Sequence, residues 1–186
     1  KVMKRSNVLM LAFVLGACSS LLIYMPPRYS ISEDNAKSIK RFGGGNINVG
    51  LFKMAAEFDN SCDITAGSVR MPDNLSFEGY IQKGLVDELK NAGMFDDATP
   101  KITLSGTVEE LSVFSRRNIY TSTWKIGLRV DSSNGKSVSV TDQFNFDAGP
   151  GSQADCQKIA DAYMPAVQNI LGKFINAPEF KSLITP

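Results

Sequence analysis

The chain has 186 residues, of which 43% are hydrophobic and 21% are charged, a composition typical of one globular domain. Its 20 Lys and Arg residues nearly balance its 19 Asp and Glu residues, so no excess of positive charge favours a nucleic-acid partner. Histidine is absent, which removes the commonest general base and the commonest neutral metal ligand, and three cysteines are too few for a structural zinc site without it. We therefore expect no metal, no cofactor and no nucleic-acid partner.

The amino end carries the features of a targeting signal. Three of its first five residues are basic, and the apolar stretch 8–17 has the length of a signal-peptide core and is too short to span a bilayer by itself. The stretch ends in Leu15-Gly16-Ala17-Cys18, which resembles the lipobox of bacterial lipoproteins. That resemblance implies a leader of residues 1–17 that is cleaved before Cys18, and acyl chains such as palmitate attached at Cys18.

The residues around Cys18 also bear on where such an anchor would place the protein. Two or three acyl chains give stable membrane attachment, whereas one chain is marginal. In Gram-negative lipoproteins an aspartate after the cysteine usually means retention in the inner membrane, and this chain has Ser19 there. The resemblance therefore implies the outer membrane, with the domain on its periplasmic side. The alternative is an uncleaved anchor, because apolar character continues from Val8 to Met25 and approaches spanning length.

The two remaining cysteines, Cys62 and Cys156, predict one disulfide. An even pair of cysteines in an oxidising periplasm favours a bridge. In the chain-entropy model, closing a loop of about 94 residues stabilises a fold by roughly 4–5 kcal/mol. The alternative is two free thiols, and these do not form the Cys-x-x-Cys pair of redox enzymes.

Residues 18–45 are predicted to be a flexible, lipidated tether, because they contain two prolines, a polar run and three consecutive glycines and have little apolar surface to bury. A single periplasmic domain is predicted over residues 46–186. It begins with a strand at Ile47–Met54, in which alternate apolar residues through Leu51 share one face. A loop-like region over 55–72 follows.

A helix is predicted from about Ser76 to Ala92, because apolar residues recur at four-residue spacing along it. Asn74 or Ser76 can cap its start. Gly93 can end it in the left-handed conformation.

Three strands follow the helix. In the first, over 101–114, the apolar residues change face near Glu109-Glu110, which predicts a β-bulge. Clean alternation from 120 to 130 predicts the second strand, and Asn134-Gly135 predicts a hairpin turn into the third. Alternation in both hairpin strands indicates one buried and one solvated face.

A long helix from about Gln153 to Ile175, kinked at Pro165, is predicted to follow the hairpin. The order of elements is therefore β-α-β-β-β-α. We expect an α+β fold, a two-layer sandwich in which two helices cover one face of a four-stranded, mostly antiparallel sheet.

No group of residues predicts catalysis, and we expect that the protein is not an enzyme. Ser133 and Lys136 match a Ser-x-x-Lys pattern, but they fall in the hairpin turn and not at the start of a helix. Asp142 occupies an apolar position of the third strand, which predicts pairing with a Lys or Arg, or exposure at the sheet edge. Arg116 and Arg117 lie between two strands and are candidates for contact with a lipid phosphate or a partner; the alternative is a solvated turn.

The sequence resembles small outer-membrane lipoproteins of Gram-negative bacteria over roughly residues 47–184. The stretch from Phe77 to Gly93 is similar to a helix of YajG-type lipoproteins and of auxiliary lipoproteins of ABC-type lipid transport, and the lipopolysaccharide-assembly lipoprotein LptE shares the overall shape. Trp124-Lys125-Ile126, Asn134-Gly135 and Pro165-Ala166-Val167-Gln168 complete the likeness. The resemblance implies this fold and location, and it carries no catalytic residue to this chain.

These observations together predict a non-enzymatic, membrane-anchored protein that acts as an accessory or binding subunit of an envelope protein complex. The alternative is a module that binds lipopolysaccharide or phospholipid in envelope lipid transport.

Overall fold

This computed structural model describes residues 22–62, 67–116, 121–147 and 152–186, except for the side chains of Cys62, Ser115, Arg116 and residues 152–155. The predicted leader, Cys18 and Arg117 lie outside the described residues. In chain order the elements are β1 (Leu22–Tyr24), α1 (Glu33–Lys40), β2 (Ile47–Met54), β3 (Ser61–Cys62), β4 (Gly67–Val69), a 3-10 turn (Pro72–Asn74), α2 (Phe77–Asn91), β5 (Ile102–Arg116), β6 (Thr121–Ser132), β7 (Ser137–Asp147), α3 (Ser152–Ile175) and α4 (Phe180–Leu183).

The predicted α+β architecture is confirmed. The central sheet has the strand order β2-β5-β6-β7, with β2 parallel to β5 and the other pairs antiparallel. Helix α2 packs against β2, and α3 packs against β6 and β7. A second, smaller sheet has the order β1-β4-β3 and was not predicted.

Helix α2 forms where the sequence predicts it, because its start, its end and its apolar stripe are all encoded locally. The Ser76 side chain accepts a hydrogen bond from the Gly79 N–H at 3.2 Å. Gly93 adopts a left-handed φ of 72° just beyond the helix. Between these ends Ile81 and Leu85 are fully buried, so the stripe faces the core.

The predicted bulge and hairpin are also confirmed. The register between β5 and β6 shifts between Val108 and Glu110, and beyond the shift Glu110 forms an ion pair with Lys125 at 2.8 Å. The turn after β6 contains Gly135 at a φ of 86°. On β7, Asp142 lies 3.4 Å from the Lys173 ammonium, which confirms its predicted pairing with a basic residue.

The predicted inward face of β2 was wrong beyond its first half. The register with β5 shifts between Val49 and Phe52, so Leu51 is 75% exposed and Phe52 is 3% exposed. Room for the Phe52 ring comes from Gly106 on β5, where a Cβ atom would lie 2.5 Å from the ring. The parallel partner strand therefore overrides the local alternation.

The prediction of a flexible tether was wrong for residues 22–45, which fold onto the domain. Strand β1 and helix α1 lie in this segment, with Tyr29 9% exposed and Ile39 fully buried. The Asn35 side-chain amide donates to the Gln168 carbonyl of α3 at 2.9 Å. The segment buries apolar side chains such as Tyr29 and Ile39 in the core, and its polar groups find hydrogen-bond partners on the domain. This docking replaces the solvation expected of a linker.

The region over 55–72 is not only a loop, because it contributes β3 and β4 to the small sheet. Strand β4 contacts α3, which joins the small sheet to the main layer of helices. Pro165 lies inside α3, as predicted. Within the described ranges no helix is both long enough and apolar enough to cross a bilayer.

Candidate functional site

A groove lies where the small sheet meets the start of α2. Its cavity volume is about 620 Å³, within the range of roughly 300–1,000 Å³ that is common for small-molecule sites. Most of its lining is apolar and comes from three separate stretches of the chain: Ile23, Met25, Met54, Phe58, Val69, Met71, Leu75 and Phe77. Sequence patterns did not predict this groove, because no single segment contains it.

An aromatic cluster behind the groove supports its wall. The rings of Phe58 and Phe77 meet edge to face with centroids 4.8 Å apart, and Phe58 lies 5.7 Å from Trp124. Trp124 also packs against Tyr163 of α3 at 5.0 Å, and its indole N–H donates to the Ile159 carbonyl at 2.9 Å. Trp124 is 1% exposed, so this wall of the groove is continuous with the rigid core.

The opposite rim of the groove is β1 and the residues that follow it. Strand β1 runs parallel to β4, and the Arg70 N–H extends the pairing by donating to the Tyr24 carbonyl at 2.9 Å. Ile23 and Met25, which line the groove, are 44% and 49% exposed, and neighbouring Leu22 is 41% exposed. The rim therefore presents large apolar side chains to the exterior, as expected of a surface that meets an apolar partner.

Two consecutive residues near the rim have strained backbones. Asp73 and Asn74 have φ values of 58° and 57°, in the left-handed region that costs about 1–3 kcal/mol when a non-glycine residue is held there. Arg28 binds the Asp73 carboxylate through two nitrogens, at 3.0 and 2.8 Å. The hydrogen bond from Arg28 lowers the pKa of Asp73. The clamp ties the chain after β1 to the turn that leads into α2.

Arg70 and Glu78 are the charged residues of the lining. Arg70 follows β4 and is exposed. Among the described residues its guanidinium has no ion pair and no side-chain hydrogen bond. An unpaired guanidinium beside an apolar groove is suited to bidentate binding of a phosphate or carboxylate.

A buried carboxylate holds the amino-terminal segment against α2. Glu88 is fully buried, and its Oε1 accepts hydrogen bonds from the Tyr29 hydroxyl at 2.7 Å and from the Ser32 N–H at 2.8 Å. Burial raises the pKa of Glu88. Sequence analysis missed this contact, although an acidic residue on the apolar stripe between Leu85 and Leu89 is a signal that could have revealed it.

Of the site residues predicted from the sequence, only Cys156 has a described side chain. Cys62 pairs through its backbone with Gly67 of β4, and Cys156 is buried in α3. Arg116 ends β5, but its side chain is not described and Arg117 lies outside the described residues. The bridge between the cysteines and the contact through the arginines stay predictions.

The Ser-x-x-Lys pattern lies in the hairpin turn, as predicted. The Ser133 hydroxyl accepts a hydrogen bond from the Thr103 N–H at 3.0 Å and so has a structural role. Among the described residues no three His, Cys, Asp or Glu side chains converge in a way that could hold a metal ion.

Comparison with known proteins supports the fold. No family model and no curated protein matches the sequence. Among solved structures the chain is similar to a Xanthomonas campestris protein of the family DUF330, with 12% identity, a TM-score of 0.50, and coverage of 86% of this chain and 98% of that one. A "putative lipoprotein" from Caulobacter crescentus gives 11% identity, a TM-score of 0.43, and coverage of 80% and 93%. The first likeness shows a shared fold, and neither match singles out the YajG-type or LptE-like families.

Proposed function

We propose that this protein is a non-enzymatic accessory protein of the bacterial envelope, anchored through acyl chains on Cys18 to the outer membrane, with its domain in the periplasm. The observation that carries the proposal is the position of the apolar groove. Its rim strand, β1, begins four residues after the lipobox cysteine. The anchor and the binding surface would therefore act at the same place, the membrane surface.

The anchor is tested by mass spectrometry of the mature amino terminus and by labelling with radioactive palmitate. We expect label in the native protein and none in Cys18→Ala. Ser20→Ala is the matched control, because it changes a residue outside the lipobox, leaves all three cysteines in place and should retain the label. An unmodified Cys18 with the leader still attached would contradict the proposal.

The accessory role requires a partner, and the sheet edge at β2 offers one route to a protein. Leu51 of this edge strand is 75% exposed, and exposed edges can accept a strand from another chain. Crosslinking in intact cells followed by purification should recover a defined envelope complex. Recovery of the protein alone under all crosslinking conditions would count against an accessory subunit.

The alternative function, binding of an envelope lipid, is favoured by the apolar lining and size of the groove. Lipid binding needs a cavity for an acyl chain and a cation for the headgroup. Both are present where Arg70 lines the groove. The sequence had assigned the headgroup contact to Arg116 and Arg117, and Arg70 is a further candidate beside a described cavity.

The disulfide between Cys62 and Cys156 belongs to the same proposal, because a periplasmic location favours it. Support comes from the position of the two residues. Strand β3, which contains Cys62, pairs with β4, and β4 contacts α3, which contains Cys156. This succession of contacts between elements supports the proposed pairing.

A further inference from the structure

We infer that the groove beside β1 binds one acyl chain of a membrane phospholipid, with the phosphate of that lipid held by Arg70. This inference deepens the proposed function and relies on its anchor to bring the groove to the bilayer. It names the ligand class of the groove and the side chain that recognises the headgroup.

The proposed anchor residue, Cys18, is close to the groove along the chain. A chain spans at most about 3.6 Å per residue, so the four steps from Cys18 to Leu22 reach no more than about 14 Å. Residues 22–45 are folded onto the domain. Only the residues between Cys18 and Leu22 therefore remain to connect the anchor to the fold. An acylated Cys18 would therefore hold the exposed apolar rim, with Ile23 and Met25, at the membrane surface.

The lining of the groove suits both parts of a phospholipid, its acyl chain and its phosphate. The groove offers an apolar wall backed by packed aromatic rings, which suits a hydrocarbon chain. Arg70 lies at the same groove with no partner among the described side chains, and a guanidinium suits the phosphate of a lipid. Glu78 also lines the groove. Its negative charge repels anions, so a free anion that has no acyl chain to bury is disfavoured at this site.

Trp124 provides the probe, because it is the chain's single tryptophan. It is buried and lies 5.7 Å from the Phe58 ring and 6.4 Å from the Phe77 ring, both of which line the groove. A bromine atom on a lipid chain quenches tryptophan fluorescence only at short range. A chain in the groove should therefore quench Trp124, and a chain that stays in the bilayer should not.

The experiment uses the full-length protein in vesicles of phosphatidylethanolamine with and without bromine on the acyl chains. We expect bromine-dependent quenching in the native protein and severalfold weaker quenching in Ile23→Glu and Arg70→Gln. Ile31→Glu and Lys136→Gln are the matched controls, because Ile31 is 43% exposed, close to the 44% of Ile23, Lys136 is exposed, and neither residue lines the groove. Brominated oleyl alcohol, which has no phosphate, should quench native protein and Arg70→Gln equally.

Several results would overturn the inference. One is quenching that does not depend on bromine, and another is an equal loss in the groove variants and the controls. If Ile23→Glu changes the sedimentation of the protein and bromine has no effect, the groove joins two copies of the chain. If the groove variants lose a crosslinked protein partner and keep their quenching, the groove binds that partner.

The inference and the proposed function can fail separately. Quenching by added phospholipid together with an unmodified Cys18 would refute the anchor alone. An acylated Cys18 without quenching would refute the lipid site alone.

Discussion

Replacement of Glu88 by alanine should loosen the amino-terminal segment and destabilise the whole fold. The Tyr29 hydroxyl and the Ser32 N–H both donate to the Glu88 carboxylate. In the alanine variant both donors lose this acceptor. An unsatisfied buried polar group costs about 1–3 kcal/mol, so for the two donors we expect a loss of about 2–6 kcal/mol in the free energy of unfolding. Glu88→Gln retains an acceptor oxygen, and we expect it to stay within about 1 kcal/mol of the native protein.

The pH dependence of the free energy of unfolding, compared between the native protein and Glu88→Gln, gives a second measurement. Burial raises the pKa of Glu88 above its ordinary value of 4.5, so the folded protein keeps the proton at a pH where the unfolded chain has released it. The stabilisation from Glu88 is therefore fully present below pH 4.5 and is lost as the pH rises through the raised pKa. Glu88→Gln does not titrate at this position. As the pH rises from 4.5 through the raised pKa of Glu88, the variant should therefore gain stability relative to the native protein.

Urea unfolding followed by Trp124 fluorescence measures both effects, and hydrogen exchange across α1 reports the local one. Exchange in α1 should accelerate in Glu88→Ala and stay near the native rate in Glu88→Gln. The reasoning is refuted if the alanine variant loses less than about 1 kcal/mol, or if the glutamine variant loses as much as the alanine variant.

Two further predictions concern covalent and steric constraints. Peptide mapping without reductant should recover Cys62 joined to Cys156, and Cys62→Ser should lower the free energy of unfolding by roughly 4 kcal/mol; free thiols at both positions in the mature protein would contradict this. Gly106→Ala should cost about 1–3 kcal/mol, because the new Cβ would lie 2.5 Å from the Phe52 ring. Gly44→Ala is the matched control, because a Cβ atom added at Gly44 would meet no atom within 4 Å. An equal loss of stability in both variants would refute the steric explanation.

The elements that could be predicted from the sequence are those whose signals are local. The Ser76 cap and the left-handed Gly93 lie at the ends of the helix that they delimit, and the bulge near Glu110 is visible as a change of apolar face within one strand. For the same reason the hairpin at Gly135 was predictable.

The elements that could not be predicted depend on partners far away in the sequence. The face of Phe52 is set by the space at Gly106 on a neighbouring strand. The segment around Tyr29 looks like a linker because its partners lie far along the chain, and one of them is a carboxylate 59 positions beyond Tyr29. The groove combines residues from β1, β4 and the start of α2, so no single stretch carries its pattern.

The short strand β1 also has a mechanical consequence. If the proposed lipid anchor on Cys18 held the chain in a membrane while a partner pulled on the domain, tension would enter the fold through Leu22. It would first be resisted by the three paired residues of β1 and by the Arg28–Asp73 clamp. Peeling β1 away would take Ile23 out of the groove wall before the central sheet is strained. Stretching single molecules from residue 18 in optical tweezers should show this release as a small early extension that precedes global unfolding.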